Sequence, residues 1–236
     1  MTAQTASPLE LPGGPLARRP LHFIFIADSS GSMGGAKINA LNQAIDASLP
    51  AMRDVAHGNP NAEILVRALQ FDSAARWHIA APTPVAEVTW APLAADGSTS
   101  MGRALQLCAE QLRTPPMPDR ALPPVLVLLS DGAPTDDFRA GLNALMDEPW
   151  GKKAVRIAIA IGGDANLDVL QAFIGHPELK PLQANNAETL VQYIRWASTA
   201  VLQAASAPPS QARGSTSGLN VPLPLPPPPA SAQDVW

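Results

Sequence analysis

The chain has 236 residues, 46% of them apolar, enough for one α/β domain with a sizeable core plus a tail. Its formal net charge is only −4 and its 16 Lys and Arg residues form no block, which excludes a nucleic-acid or anionic-membrane surface as its organising feature. A single cysteine, Cys108, excludes an internal disulfide and argues against a cysteine-based zinc centre.

Residues 1–19 are rich in Pro, Gly and Ala and read as a loose leader. They lack the apolar stretch of a signal peptide, and no run of the chain reaches the ~18 apolar residues of a membrane span, so a cytoplasmic location is the expectation. Leu21 to Ala27 is apolar throughout apart from His22, as in a strand buried on both faces. Ile38, Leu41, Ile45, Leu49 and Met52 recur at helical intervals over residues 36–56. Glu63 to Phe71 predicts a strand, and Arg76 to Ala80 its antiparallel neighbour across a short turn. Residues 100–113 predict a helix in which Cys108 shares a face with Met101, Ala104, Leu105 and Leu112, so Cys108 reads as a buried core thiol. Pro124 to Leu129 is a second buried strand, followed by a helix from Asp136 to Asp147 with Thr135 as its N-cap and Asp136 and Asp137 in its first turn.

Ala154 to Ile161 is a third buried strand, stopped by Gly162 and Gly163. A short helix over residues 167–174, a short edge strand from Pro181 to Gln183 and a long helix over residues 187–204 complete the pattern. Strands alternating with helices predict a doubly wound α/β domain over residues 20–203. Its sheet is mostly parallel with one antiparallel edge strand, and helices cover both faces. Trp77, Trp90 and Trp150 fall in or near loops and read as packing residues first and interface residues second. The remaining residues, 204–236, hold eight prolines and only Arg213 and Asp234 as charges. That composition predicts a disordered, solvated tail, with Leu223 to Pro229 favouring polyproline II. A sharper reading makes the tail, with its terminal Trp236, a docking peptide.

Ligands in doubly wound sheets sit beyond the carboxyl ends of the strands. Three oxygen-rich loops fall there: Asp28-Ser29-Ser30-Gly31-Ser32, Gly97-Ser98-Thr99 and Ser130-Asp131-Gly132. Two carboxylates and three hydroxyls, from Asp28, Ser30, Ser32, Thr99 and Asp131, form an all-oxygen donor set suited to a hard cation such as Mg²⁺, with Mn²⁺ or Ca²⁺ also accommodated. His22, His57, His78 and His176 are dispersed without ligand spacing, and Gly162-Gly163 lacks the continuation of a nucleotide loop.

Asp28-x-Ser30-x-Ser32, Thr99 and Asp131-Gly132 resemble the metal-ion-dependent adhesion site of von Willebrand factor A domains. The likeness runs over about residues 20–203. Phe25 to Met33, Leu129 to Asp137 and Ile161 to Ala165 resemble in particular the bacterial TerY-like branch, associated with tellurium resistance and stress response. The family often has Gly-Gly-Thr where this chain has Gly97-Ser98-Thr99. The resemblance implies a metal held by Asp28, Ser30, Ser32, Thr99 and Asp131, and a partner protein whose Asp or Glu completes the metal shell. It also implies a scaffold role with a protein phosphatase or a Ser/Thr kinase among the partners. The competing reading is a Mg²⁺-dependent phosphohydrolase using Asp28 or Ser30. It lacks a second aspartate after the nucleophile and a histidine base in the site loops.

Overall fold

The computed structural model describes residues 18–207 and 223–229. The chain enters at β1 (Arg19–Asp28), whose last eight residues are all buried. Alternation along β1 serves two cores: Phe23, Phe25 and Ala27 face one helical layer, and Ile24 and Ile26 face the other. A nearly continuous apolar run, with His22 its one polar side chain between Leu21 and Ala27, suits a central strand covered on both sides.

A tight turn at Gly31–Met33 leads into α1 (Ala36–His57), which buries Ile38, Leu41, Ile45, Leu49 and Met52. The chain then returns through β2 (Ala62–Phe71), parallel to β1, and β3 (Ala75–Pro84), antiparallel to β2. β3 runs four residues beyond the expected Ala80, because Thr83 and Pro84 keep their pairing with Val66 and Leu65. After α2 (Met101–Gln111), the buried strand β4 (Val125–Ser130) pairs with the opposite side of β1. Then follow α3 (Phe138–Asp147), a short α4 (Pro149–Lys153) that composition did not reveal, and β5 (Val155–Ile161). α5 (Leu167–Ile174), the three-residue edge strand β6 (Leu182–Ala184) and α6 (Ala187–Trp196) complete the sheet and its cover.

The strand order is β3-β2-β1-β4-β5-β6, with only β3 antiparallel. α1 and α6 pack on one face, and α2, α3 and α5 on the other. This is the doubly wound architecture expected from the alternation of buried strands and helices. Trp90 and Trp150 are core residues, whereas Trp77 is half-buried on β3 with the Arg67 guanidinium 4.0 Å from its ring centre. Cys108 is fully buried, and burial pushes its thiol up to about 12, which makes it inert at neutral pH.

Two helix expectations require correction. α3 begins at Phe138 rather than Asp136, and its N-cap is Asp137, whose carboxylate accepts from the Ala140 N–H at 2.9 Å. Thr135 and Asp136 are drawn into contacts with another loop, described below. The long last helix is not uniform either: Ala197–Val201 widens into a π-helical turn before a final helical turn, α7 (Leu202–Ser206). At that turn the Ser198 and Thr199 hydroxyls donate to the Ile194 and Arg195 carbonyls, both at 2.6 Å, inserting side-chain bonds into the backbone ladder. The leader up to residue 17 and the terminal Trp236 lie outside the described residues. No helix among the described residues is long and apolar enough to cross a membrane.

Candidate metal site

The chain leaves β1 toward β2 on one side and later crosses to β4 on the other, so the sheet order reverses between β1 and β4. The crevice above their carboxyl ends is the natural ligand position of such a sheet. Asp28 ends β1, and Ser130 and Asp131 follow directly from β4, with Ala27 registered opposite Leu129.

The loop after β1 curls back on itself. The Ser30 N–H donates to Asp28 Oδ1 at 2.8 Å, and the Ser130 hydroxyl donates to Asp28 Oδ2 at 2.5 Å. The Ser30 and Ser32 hydroxyls lie 3.1 Å apart, and Ser32 Oγ donates to Asp131 Oδ1 at 2.7 Å. An ideal Cβ on Gly132 would lie 3.8 Å from both Ser32 Oγ and Thr99 Oγ1, so these two hydroxyls flank one spot beside the Asp131 loop. Asp28, Ser30, Thr99 and Asp131 are buried and Ser32 stands at the exposed rim. The three loops, far apart in sequence, thus bring all five residues to one crevice.

The Thr99 loop is fastened from three directions. Gly31 N–H donates to Gly97 O at 2.9 Å, Asp96 N–H to Ser29 O at 2.9 Å, and Ser100 N–H to Asp72 O at 2.8 Å. The Asp72 carbonyl thus anchors the threonine loop. Gly97 has φ +72°, and a Cβ there would fall 2.2 Å from Ser73 Oγ, so only glycine fits. The expected departure at Ser98 is absorbed on the outside, where the Ser98 N–H donates to Ser73 Oγ at 3.0 Å.

Four supporting residues were not assigned from sequence. Thr135 clamps the Asp131 loop to the Thr99 loop: its hydroxyl accepts from the Thr99 N–H at 3.1 Å, and its own N–H donates to Thr99 O at 2.9 Å. Asp136 accepts from the Gly102 and Arg103 N–H groups at 2.8 and 2.7 Å, so it caps α2 and not the helix that follows it. Ser130 holds Asp28 as above. Lys37, in the first turn of α1, places its Nζ 2.6 Å from Asp131 Oδ2. The Ser-Asp-Gly run hinted at Ser130, and the closeness of Asp136 to the Asp131 loop hinted at a supporting role for it; no local pattern pointed to Thr135 or Lys37.

Burial pushes the Asp28 carboxyl above its ordinary range; the bonds from Ser130 and Ser30 oppose this, and the nearby Asp131 charge adds to it. With both carboxyls ionised and one ammonium beside them, the crevice would carry a formal charge of −1, which a divalent cation would offset. Among the described residues there is no cluster of three or more His, Cys, Asp and Glu. The crevice offers hydroxyls alongside two carboxylates, a donor set that fits an oxygen-preferring divalent ion and not a soft one. The Lys37 ammonium on Asp131 Oδ2 marks the crevice as a place where positive charge is held. No histidine of the described chain is nearby in sequence. His22 lies on β1 six residues before Asp28, about 20 Å along the strand.

Residues 23–195 match the von Willebrand factor type A domain. The chain belongs to that family. Domains of the family are in general non-catalytic, metal-dependent protein-binding modules. No curated protein matches the chain at a significant level. Among solved structures it is similar to the ArnB paralog VWA2 from Sulfolobus acidocaldarius, at 17% identity and TM-score 0.57, over 75% of this chain and 44% of that one. It is also similar to the pilus adhesin SpaC from Lactobacillus rhamnosus GG, at 14% identity and TM-score 0.61, over 76% and 30%. Proximal thread matrix protein 1 from the mussel byssus, in a form with a zinc-occupied metal-ion-dependent adhesion site, aligns at 13% identity and TM-score 0.59, over 79% and 48%. The chain spans less than half the length of these three proteins, and the likeness shows the von Willebrand factor A fold.

Proposed function

We propose that this von Willebrand factor A domain binds a protein partner through a divalent metal held by Asp28, Ser30, Ser32, Thr99 and Asp131. Mg²⁺ is the first choice, and Mn²⁺ or Ca²⁺ also suit an all-oxygen set. The observation that carries the reading is the convergence of three loops, with two carboxylates and three hydroxyls, at the β1/β4 switch point. Hydroxyl ligands add no charge, so the ion keeps electrophilicity for an Asp or Glu side chain of the partner.

The same geometry disfavours a phosphohydrolase. Ser30 Oγ touches Ser32 Oγ and no base, and Asp28 is committed to Ser30 and Ser130. The TerY-like character of the site loops extends the proposal to a cytoplasmic scaffold in a bacterial stress or tellurite-resistance system, with a protein phosphatase or a Ser/Thr kinase as the partner.

Calorimetric titration of Mg²⁺ and Mn²⁺ into wild type, Asp28→Ala and Asp131→Ala tests the metal. Saturable binding to wild type alone supports it, and equal heats from all three proteins would overturn it. Pull-downs from the native cell, with Mg²⁺ and with EDTA, test the partner. Capture that survives both EDTA and Asp131→Ala would refute a metal-bridged contact.

A further inference from the structure

The edge strand β6 pairs only with Ile159, Ala160 and Ile161 of β5. Below that register, Val155 to Ala158 have β4 on one side and no strand partner on the other among the described residues. This open half-edge lies toward the amino ends of the parallel strands, away from the metal crevice. A cavity of ≈ 540 Å³ faces it, lined by Ile157, Ala158, Ile174, Leu179, Leu182 and Trp196. Arg156, Glu178 and Lys180 also line it, and a further wall is Leu223 to Pro226, from the proline-rich tail. Leu223 packs partly buried against the larger core cluster, whereas Leu225 points to solvent and is 92% exposed.

The chemistry of groove and segment is complementary. Trp196 is 8% exposed and its indole Nε1–H has no hydrogen-bond partner among the described residues. A proline-rich segment carries backbone carbonyls but almost no N–H groups, and its polyproline II form is fixed before docking. The prolines also prevent the segment from completing the sheet as a strand, so it can cover the edge without offering a new one. Reach is no obstacle: the 15 residues 208–222 extend up to about 50 Å, more than the width of a domain this size.

We propose that this groove is a polyproline-binding site and that Leu223 to Pro226 close it in cis as a strap over the open half of β5. The apolar wall receives Leu223, and Trp196 lines the same groove. The tail is then an internal ligand of the domain and not a solvated linker.

The test uses full-length protein. Leu223→Asp places a charge in the groove, and Leu225→Asp, at the exposed position, serves as its control. Amide hydrogen exchange at residues 155–158 is expected to quicken at least tenfold in Leu223→Asp and to stay unchanged in Leu225→Asp. A fluorescent peptide of residues 220–230 (NVPLPLPPPPA) is expected to bind Leu223→Asp at least tenfold more tightly than wild type, because the strap at high effective concentration competes in wild type. Trp196→Phe, which keeps an aromatic ring and removes part of the groove wall, is expected to weaken peptide binding to the Leu223→Asp protein and supplies a second variant that spares the tail. Unchanged exchange in Leu223→Asp, or equal peptide affinity for it and for wild type, would overturn the proposal. A wild-type dimer that Leu223→Asp converts to monomer would overturn occupation in cis, by showing the segment in the groove of a second copy.

Discussion

Asp136→Ala should destabilise the domain more than the loss of any ordinary surface carboxylate, because α2 has no cap of its own. Ser100 makes no side-chain cap bond, and the first turn of α2 contains no acidic residue. The first N–H of α2, of Met101, donates to Thr99 O, and the next two, of Gly102 and Arg103, both donate to Asp136, at 2.8 and 2.7 Å. Arg103 is exposed, so its N–H can turn to water once the carboxylate is gone. Gly102 is buried, and its N–H cannot. An N-cap is worth ~0.5–2 kcal/mol and bonds to a charged acceptor somewhat more, which places the expected loss at about 2–3 kcal/mol. For a domain of this size that lowers Tm by roughly 5–10 °C. Asp136→Asn keeps one acceptor and should lose about half as much. Asp137→Ala removes a single bond, from Ala140 N–H, at an exposed position, and should cost about 1 kcal/mol. Urea unfolding in EDTA, followed by far-UV circular dichroism, separates the three variants without interference from bound metal. If Asp136→Ala falls within 0.5 kcal/mol of wild type, or Asp137→Ala proves the more damaging, the assignment of Asp136 to α2 is wrong.

Gly141→Ala would put a Cβ 2.2 Å from Gly102 O where α2 and α3 meet backbone to backbone, so it is expected to cost about 3 kcal/mol or to force the helices apart, read as a lower urea midpoint. Lys37→Met removes the ammonium that competes at Asp131 Oδ2 and should raise Mg²⁺ affinity by about tenfold, or ~1.4 kcal/mol, in calorimetry; an unchanged affinity would show that Lys37 does not oppose the ion. His22 is held at about 4, first by burial and then by the Arg67 charge. The unfolded chain therefore binds the extra proton first as pH falls. The stability this group contributes is complete above about 6.5 and is lost on the way down to about 4, some 3 kcal/mol in all. His22→Leu should flatten the fall in Tm measured between those two pH values.

Much of the fold could be read locally. β1, β4 and β5 stand out as mostly apolar runs, interrupted only by His22 in β1 and Arg156 in β5, because a strand covered on both faces has few polar positions to spare. The helical expectation for residues 167–174 coincides with α5, where Asn166 caps the helix through the Val169 N–H and Gly175 closes it in the left-handed region. Failures arose where a tertiary partner outbid a local one. Thr135 and Asp136 have the composition of a helix start, yet their side chains bond Thr99 and the first turn of α2 instead. The extension of β3 to Pro84 depends on pairing with Leu65 and Val66, which no window of the strand itself displays.

The sequence by itself determined the strands, the main helices and their order, and the oxygen-only chemistry of the five crevice residues, because burial and ligand preference are properties of residue types in a pattern. The tertiary structure decided which charges face those residues and which loops hold them. Lys37 on Asp131, Ser130 on Asp28 and Thr135 on Thr99 are meetings made by the crossover from β2 and β3 back to β4. The same holds for the strap. The tail composition signalled a chain unable to fold alone, and only the shortness of β6 leaves a half-edge for Leu223 to cover. A contact between residues distant along the chain depends on the path of everything between them, and no local pattern encodes that path.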